Sequence, residues 1–339
     1  MAESSTTKAG RIKEDRISVL PRNILETILC CLPIRDAVRT SVLSRVWRHC
    51  WTTIPDLVFD ERTIGNMSMD LGNGKARELM AHKLASVINI VLLRHNGPIL
   101  KFFLTIPQFC CDVKVVHDYI DQWIPVFSRM VGGLTYLRTI ELIRVSASEE
   151  NIFSCPVLEK LTLIYCEGLL PSNFCAPNLK ILHQMHRKMT SEFSLSGLEN
   201  LTEFSYRLSS CPEMHTENSN MVKGSVMVGE ENLNSPWEDA SEECTVDHLE
   251  IVTFSNFRGL EGELELVKFL LAGSLLLKTM FIQRDWMMGK DDAFEILEKM
   301  LEFSRASPRA QIKLLKYPFH AVDYGPWVGH WLDAQGELH

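Results

Sequence analysis

Long apolar runs are missing from this chain of 339 residues. The longest nearly uninterrupted one, Phe269 to Leu277, is nine residues with Gly273 and Ser274 inside it. A bilayer-spanning helix takes about 20 apolar residues, so no membrane segment is expected. Met1 to Lys8 is polar and lacks the apolar stretch of a secretory signal, which points to a cytoplasmic or nuclear location. Catalytic signatures are missing too. There is no G-x-S-x-G, no P-loop and no G-x-G-x-x-G after a predicted strand. The cysteines have no His at a thiol-enzyme spacing, so neither an enzyme nor a cofactor is expected. His183-x-x-His186 has a metal-pair spacing suited to a helix, but it falls in a strand-like segment without further ligands, and no metal is expected. The ten cysteines include the adjacent pairs Cys30-Cys31 and Cys110-Cys111; they read as reduced thiols, mostly small core residues, and not as a disulfide framework. Asn66 and Asn200 head N-x-S/T triplets, which carry no weight in a cytosolic chain.

Strong basic character is also absent. Thirty-five Lys and Arg against 43 Asp and Glu leave a net charge of -8, which disfavours an electrostatic grip on nucleic acid or an anionic membrane. Residues 211–248 hold nine acidic side chains and one basic one, so the rest of the chain carries 34 of each sign. Clustered Ser, Asn and Gly in that stretch cannot offset the entropy of ordering, and 211–247 reads as an acidic flexible linker. Residues 1–10 read as a disordered tail.

The first helical signal follows that tail. Pro21 suits a first turn, and Ile24, Leu25, Ile28, Leu29 and Leu32 recur at helical spacing before Pro33 stops the helix. A second short helix fits Ile34 to Thr40. A third fits Ser41 to Trp51, with Val42, Leu43, Val46, Trp47 and Cys50 on its apolar side. A unit this small lies below the roughly 40 residues that sustain a core alone. It must either pack on the rest of the chain or offer its apolar stripe to another protein, and the residues leave both open.

Leu20-Pro21, Ile24, Ile28, Leu32-Pro33, Asp36-Ala37, Ser41, Leu43-Ser44, Arg45 and Trp47 resemble an F-box, the motif by which substrate receptors attach to the Skp-type adaptor of SCF (cullin-RING) ubiquitin ligases. The run Leu32 to Arg48 is especially similar to that of plant F-box proteins. The resemblance implies an F-box over 11–55 whose adaptor-binding residues are Leu20, Pro21, Ile24, Leu25, Ile28, Leu32, Pro33, Asp36, Val38, Ser41, Leu43 and Trp47.

Lys75 to His95 reads as a helix, with Asn96-Gly97-Pro98 as its stop. Beyond it the form L-x-x-L-x-L recurs at Leu137, Leu158, Leu179 and Leu201, with starts 21, 21 and 22 residues apart, and Gln184 holds the third apolar place of its copy. Further copies fit at Ile99, Leu249 and Leu277. Such a period marks leucine-rich repeats, in which one strand cannot bury its own apolar face and stacks on its neighbours. Irregular repeats are expected over 75–210, compressed at Ser128 to Gly133 as if one were missing.

From His248 to Ile282 the pattern is strand, Gly-marked turn, helix from Glu261 to Ala272, Gly273 cap and strand, with a further helix from Asp291 to Phe303. These segments resemble the FBD domain that accompanies F-box and leucine-rich repeats in a plant family, and imply such a domain over 248–316; 317–339 is a C-terminal tail. The expected fold class is α/β: a three-helix F-box, an irregular leucine-rich-repeat solenoid and an α/β FBD region. The implied function is the non-catalytic substrate-recognition subunit of an SCF ligase. It would bind a Skp-type adaptor and, through it, cullin, and it would bind an unidentified protein target, with no nucleic-acid or membrane partner. The alternative is a non-ubiquitin scaffold whose F-box-like helices pack back on the repeats.

Overall fold

The computed structural model describes residues 17–315 apart from 18, 65–73, 111–118, 121–122, 124–132, 148–152, 170–173, 188–194, 196, 209–245 and 286–287. The readings placed on residues 1–10, 128–132, 211–245 and 317–339 lie outside the described residues.

Two short helices, α1 (Arg22–Cys30) and α2 (Ile34–Arg39), open the fold, each entered through a proline. The expected third helix is replaced by two 3-10 segments, Thr40–Val42 and Trp47–Thr53. Side chains explain the substitution. The hydroxyls of Thr40, Ser41 and Thr52 donate to the carbonyls three residues earlier, at 2.7, 2.6 and 2.8 Å. Such local bonds compete with the α-helical ladder.

The long helix α3 (Gly74–Arg94) follows strand β1 (Asp56–Phe59). Then come β2 (Lys101–Thr105), β3 (Thr139–Ile143), the two-residue β4 (Phe153–Ser154), β5 (Lys160–Ile164), the two-residue β6 (Phe174–Cys175), β7 (Ile181–His186) and β8 (Glu203–Leu208). The last part holds β9 (Ile251–Phe257), α4 (Glu261–Gly273), β10 (Thr279–Arg284), α5 (Lys290–Leu301) and β11 (Gln311–Leu315). Among the described residues, nine strands form one sheet in the order β1-β2-β3-β5-β7-β8-β9-β10-β11, and β4 pairs with β6 in a second sheet. All these pairs are parallel.

The recurring leucines explain the register. Ile140, Leu161, Leu182, Phe204, Val252 and Met280 stand opposite one another, and so do Leu142, Leu163, Gln184, Tyr206, Phe254 and Ile282. These two columns face one core, which runs from Leu25 to Ala310. A repeated tight turn delivers the chain to each strand: the N–H groups of Leu158, Leu179, Leu201 and Leu249 donate to the carbonyls of Cys155, Ala176, Leu198 and Val246. Asn178 and Asn200 donate to the carbonyls of Pro156 and Pro177 one turn back, at 2.6 and 2.7 Å. Cys166, in the place where an Asn is common in such repeats, donates its thiol to Leu142 O at 3.3 Å.

The β9-α4-β10 unit matches its expectation, with one correction. Gly273 is the last residue of α4 and has no left-handed backbone; the chain leaves the helix through an extended Ser274. Gly259, in the turn before α4, does need glycine, at φ +69° with Ile296 packed against it. Strands β1 and β11 were not foreseen, since each is short and has no L-x-x-L-x-L frame.

Gln184 is fully buried in its leucine column, and neither amide heteroatom has a hydrogen-bond partner. Leaving such a group unpaired costs about 1–3 kcal/mol. Gln184→Leu is therefore expected to raise stability by about 1–2 kcal/mol, read as a higher urea midpoint at unchanged slope; a lower midpoint would refute this account of the site.

Glu263 is buried at the start of α4 and accepts from the N–H groups of Arg258 and Leu260 at 2.9 and 3.1 Å. Burial pushes its carboxyl up to about 7, against the pull of those hydrogen bonds. A raised folded pKa means that its stabilising contribution is complete below about 4.5 and is lost as pH rises through about 7. Between those limits wild type should lose on the order of 3 kcal/mol or less relative to Glu263→Gln, as measured by urea unfolding of both proteins across the range.

Candidate protein-interaction surface

The N-terminal helices have two apolar faces. The inner one comprises Leu25, Leu29, Ile34, Ala37, Trp47, Cys50 and Trp51, all buried in the common core. Hydrogen bonds tie this module to the end of α3 and to the sheet. Asn96 N–H donates to Thr52 O at 2.8 Å, His95 Nε2 lies 2.9 Å from Ile54 O, and Leu100 N–H donates to Pro55 O at 2.8 Å. Gly97 passes so close that an added Cβ would sit 2.9 Å from Thr53 Cα; this glycine serves a close approach as well as ending a helix. Within the module, Thr53 Oγ1 donates to Glu26 at 2.7 Å and accepts from Arg22 at 2.9 Å, and Arg22 pairs with Glu26 at 3.0 Å.

The outer face is uncovered. Ile24, Ile28 and Leu32 along α1 and its end are exposed, as are Val42 (87%), Leu43 (64%) and Val46 (50%) around the first 3-10 segment, with Ile17 and Val19 ahead of α1. Of the residues expected to meet a partner, Pro21, Ile24, Ile28, Leu32, Asp36 and Leu43 are exposed, and Leu20, Pro33, Val38 and Ser41 are half-buried. Leu25 and Trp47 instead belong to the inner face. Both are buried at 3% exposure or less, because helical spacing points Leu25 at the core beside Leu29 and the second 3-10 segment turns the indole inward. The sequence reading missed Val42 and Val46 as surface groups; the unbroken apolar period there gave no means of separating two faces.

Burial raises the thiol pKa of Cys30, with Asp56 adding to the effect, and also that of Cys50. Burial likewise holds Cys155 and Cys166 up at about 12. Protonated buried thiols fit core packing and not nucleophilic chemistry. His183 and His186 lie three apart on β7, and a strand sends them to opposite faces. His186 stacks on Tyr206 inside, at 5.7 Å, while His183 stands beside Thr162 and Ser205 outside. The pair cannot grip one ion. Burial holds them down to about 3 for His183 and about 4 for His186.

The sheet face opposite the core is a second candidate surface. Thr162, His183, Ser205, Thr253 and Phe281 form its central column, of which Thr253 is half-buried and the others are buried. Toward the N-terminal strands it is apolar, with Phe103, Ile143 and Ile164 clustered against Val58, Tyr165 and Met185, and Arg187 stacked 5.6 Å over Tyr165.

Residues 17–58 match the F-box domain family, and residues 242–282 match the FBD family. The F-box/FBD/LRR-repeat protein At1g13570 of Arabidopsis thaliana is 27% identical over 430 residues, covering 89% of this chain and 99% of the relative. That span exceeds the 339 residues here, so at least 91 of its positions have no counterpart in this chain. Two F-box/LRR-repeat proteins of the same plant, At3g26922 and At3g03360, are each 29% identical; the matches cover 64% and 50% of this chain, and 62% and 42% of the relatives. F-box domains generally bind Skp-type adaptors, and proteins that carry them generally act as SCF substrate receptors. The chain carries an F-box domain and an FBD domain, and its homologues are plant F-box/FBD/LRR-repeat proteins.

The two faces of the module predict opposite outcomes. Trp47→Ala should cost about 3–5 kcal/mol by emptying the core, whereas Leu43→Ala should shift stability by no more than about 0.5 kcal/mol, both read from urea unfolding. Equal losses would mean that the faces are wrongly divided.

Proposed function

We propose that this protein is the substrate-recognition subunit of an SCF ubiquitin ligase in the cytoplasm or nucleus. One observation carries the reading: the F-box module uses its inner apolar face on its own chain and leaves a second apolar face open. Ile24, Ile28, Leu32, Val42 and Leu43 are too many neighbouring apolar groups to leave wet without a purpose. The Skp-type adaptor, and cullin through it, is the partner assigned to this face. The scaffold alternative needs the same helices folded back on the repeats; the packing of the inner face supplies half of that, and the uncovered outer face favours the receptor.

In this reading the nine-stranded parallel sheet is a shortened leucine-rich-repeat solenoid that runs on into the FBD domain. Spacings of 21 to 22 residues, one strand of the main sheet per spacing and the stacked Asn and Cys hydrogen bonds support it. The target protein would lie on the sheet face opposite the core, where Thr253 is half-buried. The chain does no bond chemistry of its own; its contribution is to hold a target lysine near the ubiquitin carried by catalytic partners.

Adaptor capture tests the assignment. Val42→Asp with Leu43→Asp should reduce co-purification of a Skp-type adaptor at least about tenfold without unfolding the chain, and Leu20→Ala with Pro21→Ala should weaken it in the same direction. Undiminished capture by both double variants would overturn the assignment of this face. Failure of the wild-type chain to bring down adaptor or cullin would favour the scaffold.

A further inference from the structure

A cleft of about 460 Å³ separates α2 and the 3-10 turn Glu61–Thr63 from α3. Arg35 lines it from α2, Thr63 from the turn, and Leu79, His82, Lys83 and Ser86 from α3. Among the described residues its lining holds two fixed cations, a histidine and two hydroxyls, and no carboxylate. Asp36 faces Arg39 at 3.6 Å, and Asp60 caps its turn and holds Arg62 at 2.6 Å. Glu78, one turn before His82, is not part of the lining.

Arg35 is half-buried. Among the described residues, neither it nor Lys83 has an ion pair or hydrogen bond. His82 rests its ring edge-on to Tyr119 at 6.1 Å. Unneutralised cations on both walls of a concave site focus positive potential into it. A guanidinium offers a planar fork of donors that matches phosphate oxygens, and a lysine adds a point charge. The volume falls within the roughly 300–1,000 Å³ of small-molecule pockets.

We propose that this cleft binds a small phosphate-bearing molecule, with Arg35 and Lys83 on its phosphate oxygens, the Ser86 hydroxyl donating to them, and Leu79 against its uncharged part. Because Arg35 belongs to the F-box module and the other groups to α3, the ligand fastens the adaptor-binding module to the sheet. The site does not depend on the adaptor assignment, since none of these residues lies on the outer apolar face.

Isothermal titration of the full chain with sodium pyrophosphate, at constant ionic strength, tests the proposal. Saturable binding at one site is expected. Arg35→Gln with Lys83→Gln should weaken it at least about tenfold, while Arg45→Gln with Arg48→Gln, which removes the same charge from exposed positions outside the cleft, should leave it unchanged. Ser86→Trp, which fills the cleft from an exposed position, should abolish it and keeps the test decisive if the first double variant melts early. No saturable heat, or equal weakening by the two double variants, would overturn the proposal.

Discussion

Each strand of the nine-stranded sheet runs parallel to its neighbours in the sheet, so no tight hairpin can join a pair. That requirement organises the molecule. A single strand offers two or three apolar side chains to the core, too few to hold it, and gains its place only when the next strand extends both columns. The tight turns from Cys155 to Leu158 and from Ala176 to Leu179 set the start of each strand, and the Asn178 and Asn200 amides lock one return segment to the one before it. The exposed edge adds an alternating charge series: Arg138 pairs with Glu159, Glu159 with Lys180, and Glu250 with Lys278. Exposed pairs of this kind contribute little stability each, but their alternation disfavours a slipped register.

The F-box module joins this column of strands at its first end and inherits stability from it. Its helices are too few to make a core, and they complete one by placing Leu25, Leu29, Trp47 and Trp51 against the helix and strands that follow. That leaves the outer side free of any folding duty. A module built this way can present an apolar face without unfolding, because the opposite face already secures it. The close contacts of Thr52 to Ile54 with His95 to Gly97 hold the two parts in one orientation.

Much of this was legible in the residues. The motif from Leu20 to Trp47, the even spacing of the leucines and the strand-helix-strand order after His248 all depend on local pattern, and local pattern is what a sequence displays directly. The helix over residues 75–95 and the strands at Ile140, Leu161 and Leu182 came out within a residue or two. The third helix did not, because the hydroxyls of Thr40, Ser41 and Thr52 draw the backbone into tighter turns that apolar periodicity does not register. The site was legible as a set of residues and not as a surface. Leu25 and Ile24 are adjacent in the chain and equally apolar, yet one is in the core and the other in water.

The sequence by itself determined the kind of elements, their order and the family signatures, since these follow from residue types at fixed spacings. Only the tertiary structure decided which apolar groups were used up in folding, that His183 and His186 part to opposite faces, and that cations from α2 and α3 share one cleft. Those outcomes depend on contacts between residues distant in the chain, and the free energy of burying or pairing a side chain is set by what lies across from it.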